Sequence, residues 1–336
     1  MKTVSRTVPG ILTSIATFGF LALANAGDEA EDHIKKSFHV ASGGQLILET
    51  DRGSIEVRTA ETNTRPEVEV TADTNTHLEV EVKEAAGLAV EFTQSGNDVH
   101  IRGKDRRSFW RWLWWVDNWQ GPQFLISVPA KYNVDLHTSG GSISVDDLAG
   151  EVRSKTAGGS LHFGRIRGPV WGETSGGSIA LAGCVHTAEV KTSGGDVSIG
   201  EVEGDVIAQT SGGSIHIARA TGRVVAETSG GSIEVEEVRG AIEATTSGGS
   251  VTARISRQPQ GDSRLETSGG NVAVFLADTV GVEVDARTSG GRVTTELPVT
   301  VQRELSETAL QAKINNGGPK LILRTSGGNI RLGKMS

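Results

Sequence analysis

The sequence predicts an all-β protein, a parallel β-solenoid (β-helix) with 18-residue coils, preceded by a small β-rich N-terminal cap region. Three observations predict it. The tetrapeptide Thr-Ser-Gly-Gly recurs at a fixed interval, apolar and largely β-branched residues alternate two apart within each interval, and the 44 glycines of the 336 residues fall mostly at fixed points of the repeat. A short fixed period is the mark of stacked coils, in which each repeat buries its apolar side only against its neighbours. Apolar residues two apart indicate strands rather than helices, and a glycine in every coil would weaken a helix further.

Residues 1–26 read as a secretory signal. Lys2 and Arg6 form a positive n-region, Ile11 to Ala24 is mostly apolar, and Ala24-Asn25-Ala26 fits a small-x-small cleavage site. The apolar stretch falls short of the ~20 residues a membrane span needs, and no Cys near the cleavage point supports lipid attachment. Loss of Lys2 and Arg6 would take the formal charge from −8 to −10. Export to the periplasm, to an outer-membrane-associated place or outside the cell is the expectation. The charge also argues against a phosphate-binding protein, and so against a nucleic-acid partner, since the chain as a whole has no excess of Lys and Arg to displace counterions.

Residues 27–133 form the expected cap region. Alternation is clear at Gln45–Glu49, Ser54–Arg58, Glu67–Thr71, Leu78–Val82 and Phe124–Val128, and Thr50-Asp51-Arg52-Gly53-Ser54-Ile55 resembles a degenerate repeat corner. Caps are needed because a stack of coils leaves open strand edges at both ends.

Residues 134–336 hold the repeats. The tetrapeptide begins at Thr138, Thr156 (as Thr-Ala-Gly-Gly), Thr174, Thr192, Thr210, Thr228 and Thr246, 18 residues apart, then at Thr267 and Thr288 with spacing 21, and last at Thr325. With Thr as position 1, position 6 reads Ile143, Leu161, Ile179, Val197, Ile215, Ile233 and Val251. Position 8 begins Val145, Phe163, Leu181, position 15 begins Val152, Val170, Ala188, and position 17 is mostly small, with Ala208, Ala226 and Ala244 in the later coils. These columns predict two short strands per coil, near positions 5–9 and 14–18, with a small corner near position 11. Parity carries the inward set from position 15 through 17 to the Thr at 1, whose hydroxyl then needs a partner inside the corner. The glycines at positions 3 and 4 suit a turn with positive φ, and another at position 13 marks the opposite turn. The loop Gln258–Ser263 holds the extra residues of a 21-residue coil, and an irregular closing turn precedes the last coil.

The Thr-Ser-Gly-Gly-x-Ile repeats, the Val128-Pro129 step that leads into them, and the closing Gly317-Gly318 with Arg324-Thr325-Ser326-Gly327-Gly328-Asn329-Ile330 resemble the DUF4097 group of β-strand-repeat proteins. Members are often labelled "putative adhesins". The resemblance spans roughly residues 38–335 and implies an exported, non-catalytic β-solenoid; it brings no ligand residues with it.

One segment stands outside the repeat pattern. Arg106 and Arg107 precede Phe109-Trp110-Arg111-Trp112-Leu113-Trp114-Trp115-Val116-Asp117-Asn118-Trp119, which holds five of the six tryptophans. Such a cluster can plug the first coil, bind at a membrane interface, stack on sugar rings or anchor a protein. Arg106, Arg107, Trp110, Arg111, Trp112, Trp114, Trp115 and Trp119 are therefore the candidate binding residues, with an envelope protein, a glycan or a membrane surface as partner.

Other features have plainer readings. Outward columns alternate in sign, as with Asp147, Arg165, Gly183, Glu201, Arg219 and Glu237 at position 10. An acid–base pair drawn from Asp147, Glu201 and Glu237, as in a polysaccharide-cleaving β-helix, is the alternative. His162 and His216 share position 7 three coils apart, about 14 Å, too far to bind one zinc. Cys184 falls in the inward column at position 11 and reads as a buried thiol. Calcium-binding coils need Asp at fixed positions that are absent here, and an ice-binding face needs outward Thr. No cofactor or metal is expected.

Overall fold

The structure, a computed structural model, describes residues 33–59, 76–85, 87–106 and 121–335. The described strands form two large sheets, one of 14 strands and one of 15, facing each other across a single continuous core. Each 18-residue repeat gives one strand to each sheet. Val152–Thr156 lies in the 15-stranded sheet, the Ala-Gly-Gly-Ser corner follows, and Leu161–Ile166 lies in the 14-stranded sheet.

Successive coils pair in parallel at an offset of one repeat, Val152 with Val170 and Thr156 with Thr174. Every inward column is therefore continuous. Positions 6, 8, 15 and 17 are buried, from Ile143 and Val145 to Val251 and Ala253.

The strand of the 14-stranded sheet runs further than alternation alone predicts. It continues to position 11 through a kink at position 9, where pairing passes from Phe163↔Leu181 to Arg165↔Gly183. Positions 9 and 10 both face outward, so the inward parity restarts at Ile166, Cys184, Val202 and Ala220, all buried. Small residues fill the kink column in four successive coils (Gly164, Ala182, Gly200, Ala218), and Glu236 stands there in the next.

The Thr at position 1 is buried in each coil, and its hydroxyl donates to a main-chain carbonyl of the preceding corner. Thr156 Oγ1 reaches Gly141 O at 2.7 Å, and Thr228 Oγ1 reaches Gly213 O at 2.8 Å. A second ladder runs at position 5, where Ser178 N donates to Ser160 Oγ at 3.2 Å and Ser214 N to Asp196 Oδ1 at 2.7 Å. Together these satisfy main-chain groups that a tight corner would otherwise strand.

The corner glycines correct the expectation of positive φ. None of the Thr-Ser-Gly-Gly glycines has it; among described residues the positive-φ glycines are Gly43, Gly53, Gly87, Gly96, Gly317 and Gly318. At the second glycine of the corner and at position 13 the requirement is close approach between coils instead. A Cβ on Gly159 would sit 2.2 Å from Gly141 O, and one on Gly168 would sit 2.1 Å from Gly150 O.

The ends are built out of sequence order. Call the N-terminal strands β1 (His33–His39), β2 (Gln45–Thr50), β3 (Ser54–Thr59), β4 (His77–Lys83), β5 (Leu88–Ser95), β6 (Asp98–Asp105), β7 (Gln123–Val128), β8 (Asn133–Thr138) and β9 (Ile143–Val145). The pair β2/β3 is a full coil, with Thr50 in register with Thr138 and Ile55 with Ile143. It lies between the β6/β7 coil and the β8/β9 coil. Antiparallel β5, then β4 and β1, cover the outer edges of β6 and β7.

The other end repeats the device. Lys320–Thr325 and Ile330–Lys334, last in sequence, sit between the coil of Ser263–Thr267 and Val272–Leu276 and the coil of Val282–Thr288 and Val293–Thr295. Antiparallel Ala309–Ile314 and Val299–Leu305 close that side. At the N-terminal end Lys36 Nζ lies 4.9 Å from the Phe92 ring centre and 5.7 Å from that of Phe38. An inward-facing charge there discourages end-to-end strand pairing.

Candidate functional site

The Trp-rich segment is rooted at a definable point of the stack. β6 ends and β7 begins on either side of the point where the adjacent coil turns through Asp51-Arg52-Gly53. On the entering side Arg106 is exposed and its N–H donates to Gly87 O at 2.9 Å. On the returning side Pro122 O accepts from Ser54 N at 2.9 Å, and a Cβ on Gly53 would meet that oxygen at 2.4 Å. Arg107, Trp110, Arg111, Trp112, Trp114, Trp115 and Trp119 lie outside the described residues.

The root is fixed by a small charged web that the sequence did not single out. Arg52 Nε sits 2.9 Å from Asp105 Oδ2, and Asp105 N donates to Asp51 Oδ2 at 3.0 Å. Arg52 is largely buried, which lowers its pKa, while Asp105 works in the opposite direction. On the far face of this coil region Tyr132 is fully buried and donates its hydroxyl to Asn97 O. Burial, with Asp98 nearby, pushes the Tyr132 pKa up to about 12.

Beside the root runs a groove of about 560 Å³ on the outer face of the 15-stranded sheet. Arg102, Lys104, His137 and Lys155 line it together with Glu49 and Asp51. Arg102 pairs with Glu49 at 3.1 Å, Lys155 with Glu173 at 3.0 Å, and His137 Nε2 lies 2.8 Å from Asp135. The floor is the Thr-Ser-Gly-Gly corner column itself. A surface of this kind, open and with both signs of charge, offers hydrogen bonds to a polar ligand.

The position-10 carboxylates are engaged structurally. Asp147 Oδ1 accepts from Arg165 N at 2.7 Å. Arg219 bridges Glu201 at 3.1 Å and Glu237 at 2.7 Å, and Glu237 also receives Arg239 and Ser256. Burial works against the Glu237 carboxylate, but the hydrogen bonds from Ser256, Arg219 and Arg239 outweigh it and hold its pKa down to about 2. His216 faces Glu234 and Glu236 at 3.8 and 3.5 Å on the outer sheet. Among the described residues no three His, Cys, Asp or Glu side chains are grouped to hold a metal ion. Cys184 is buried, its pKa raised by that burial, with Sγ 3.1 Å from His186 O.

With the coil geometry in place, comparison with known proteins settles the family. The Toastrack DUF4097 family model matches residues 45–333. The chain belongs to this family. No curated protein shows significant sequence similarity to this Toastrack chain. Solved structures similar to it include a "putative adhesin" from Bacteroides fragilis at 12% identity, covering 90% of this chain and 97% of that one with a TM-score of 0.32. Another is a "putative lipid binding protein" from Parabacteroides distasonis at 14% identity, covering 89% and 97% with a TM-score of 0.33. A "putative cell adhesion protein" from Clostridium sporogenes matches at 11% identity, covering 90% and 100% with a TM-score of 0.19. At such values the likeness carries nothing about ligand or partner.

Proposed function

We propose that this Toastrack protein is an exported, non-catalytic binding scaffold of the cell envelope, and that its contact surface is the tryptophan-rich corner with the groove beside it. The observation that carries this reading is the placement of the insertion. A solenoid presents equivalent corners along one edge, and this chain departs from the repeat at one of them with Trp110, Trp112, Trp114, Trp115 and Trp119. The insertion leaves the stack from a rigid root, held by Arg52, Asp51 and Asp105. Tryptophan side chains bring large contact area with few rotatable bonds, which favours affinity.

The partner is an envelope surface, met through an envelope protein, a glycan or lipid. The test compares the wild type with a Trp114→Ala/Trp115→Ala variant in binding to isolated envelope fractions. Loss of binding by the variant, with an unchanged melting curve, supports the reading. Equal binding overturns it. Vesicles then separate lipid from the other partners, because tryptophans entering a bilayer interface shift their fluorescence to the blue. Export is checked by sequencing the N-terminus of the mature chain, which should begin at Gly27.

A polysaccharide-lyase-like reading has less support. Its candidate acids Asp147, Glu201 and Glu237 are bound to main chain or arginine rather than converging on an open groove.

A further inference from the structure

A second groove, of about 570 Å³, lies at the corner of the stack opposite the Thr-Ser-Gly-Gly edge. It forms where the repeat lengthens from 18 to 21 residues, between the corners of two regular coils and the loop of residues 258–262 that holds the extra residues. Arg223, Arg239 and Arg257 line it from three successive coils, with Gln258 and Gln260 on the loop side. No acidic side chain lines it, in a chain whose net charge is −8.

The arginines differ in how they are held. Arg239 meets Glu237 through Nε at 3.0 Å, and Arg223 meets Glu243 through Nη2 at 2.8 Å. Each pairing orients a guanidinium while leaving nitrogens over. Arg257 is exposed and has no ion pair among the described residues. The floor is bare main chain, because a Cβ on Gly240 would sit 2.3 Å from Gly222 O.

The loop wall is set in advance. The Gln258 amide clamps the main chain of Gly281 in both directions, Nε2 donating to Gly281 O at 2.9 Å and Oε1 accepting from Gly281 N at 2.8 Å. Pro259 is buried, and Asp262 Oδ1 accepts from Lys320 N at 2.9 Å. A wall anchored on both sides needs no ordering when a ligand arrives.

We propose that this arginine corner is a phosphate-binding site, taking a ligand with two closely spaced phosphate groups or the phosphate of a lipid headgroup. Guanidinium forks present paired N–H donors that match tetrahedral oxyanions. Coils about 4.8 Å apart bring arginines of neighbouring coils to adjacent oxyanions. Gln260 adds a neutral donor at the rim. The site is separate from the tryptophan-rich corner and stands or falls apart from it.

The test titrates the intact chain with sodium pyrophosphate at low ionic strength, following heat, with sodium chloride as the control. Saturable binding that weakens as salt is added is the expected result. Arg257→Ala, an exposed residue whose loss leaves the fold alone, should weaken binding roughly tenfold or more, the effect of losing hydrogen bonds to a charged ligand. Gln258→Ala keeps every charge but frees the loop, and should weaken it too. Trp114→Ala/Trp115→Ala should leave it unchanged, which separates this site from the proposed envelope contact. Flotation with phosphatidylglycerol vesicles, lost in Arg257→Ala, supports the site and assigns it to a headgroup. Pyrophosphate binding without flotation supports it and assigns it to a soluble phosphate. No saturable heat, or wild-type affinity in both Arg223→Ala and Arg257→Ala, overturns it.

Discussion

Two adjacent glycines of one corner should respond to the same substitution in opposite ways. At Gly158 a Cβ meets nothing within 4 Å, and the residue does not have positive φ, so Gly158→Ala has room. At Gly159 the Cβ would lie 2.2 Å from Gly141 O, 2.3 Å from Gly141 C and 2.4 Å from Ser142 N. All three are main chain of the neighbouring coil and cannot rotate away. An ordinary contact would need the coils to part locally by about 1 Å against a spacing of about 4.8 Å. That parting disturbs two buried bonds, Thr156 Oγ1 to Gly141 O and Thr174 Oγ1 to Gly159 O, both 2.7 Å. Overpacking costs about 1–3 kcal/mol. A disturbed buried hydrogen bond adds about 1–3 kcal/mol. Gly159→Ala should therefore lose about 3 kcal/mol or more, while Gly158→Ala should stay within about 1 kcal/mol and can gain from a stiffer unfolded chain. Thermal melts followed by far-ultraviolet circular dichroism read the difference, a separation of roughly 3–6 °C. If Gly158→Ala lowers the midpoint as much as Gly159→Ala, close stacking is not the reason for the second glycine.

Three further outcomes follow from the same coordinates. Ser154 is fully buried at position 17 and its Oγ has no hydrogen-bond partner, so Ser154→Ala should raise stability by about 1 kcal/mol; a loss on chemical denaturation would show that the hydroxyl is satisfied. Ile233→Asp should cost about 3–5 kcal/mol because it sets an unpaired charge in the core, whereas exposed Glu234→Ala should cost under about 0.5 kcal/mol, and equal shifts in melting temperature would refute the inward register. Glu237, held at about 2 in the folded chain, contributes stability present above the unfolded carboxylate pKa of about 4.3 and lost as pH falls toward 2. Solvent screening keeps that contribution to about 1 kcal/mol, and Glu237→Gln should flatten the stability profile in that window alone.

Much of this molecule is legible in the sequence because a solenoid is nearly one-dimensional. Each residue at position 6 meets the same column above and below, so Ile179, Val197 and Ile215 report one environment repeatedly and the inward face can be read without knowing distant contacts. The same logic predicted a buried Thr at position 1 and a buried Cys184, and it marked Thr50 to Ile55 as a corner. It did not supply the position-9 kink, since small residues there are equally compatible with an outward face that simply alternates. The charged root of the tryptophan-rich segment was illegible for another reason. Arg52 and Asp105 are 53 residues apart in chain order and meet only because β6 stacks on β2.

The repeat by itself determined the fold class, the coil period and the inward columns, all of which depend on contacts between residues one coil apart, and it set the aromatic segment apart as foreign to the pattern. Only the tertiary structure decided the order of coils at the two ends, where the first and last coils in sequence are tucked inside the stack, because strand edges can be filled by any coil of matching register. It also decided why the corner glycines are glycines. For the second glycine of each corner the constraint is a carbonyl oxygen of the neighbouring coil about 2 Å from the missing Cβ, a distance set by stacking rather than by any local turn. The arginine groove is likewise tertiary, since its three guanidinium groups come from three coils and its wall is held by Gln258 against Gly281.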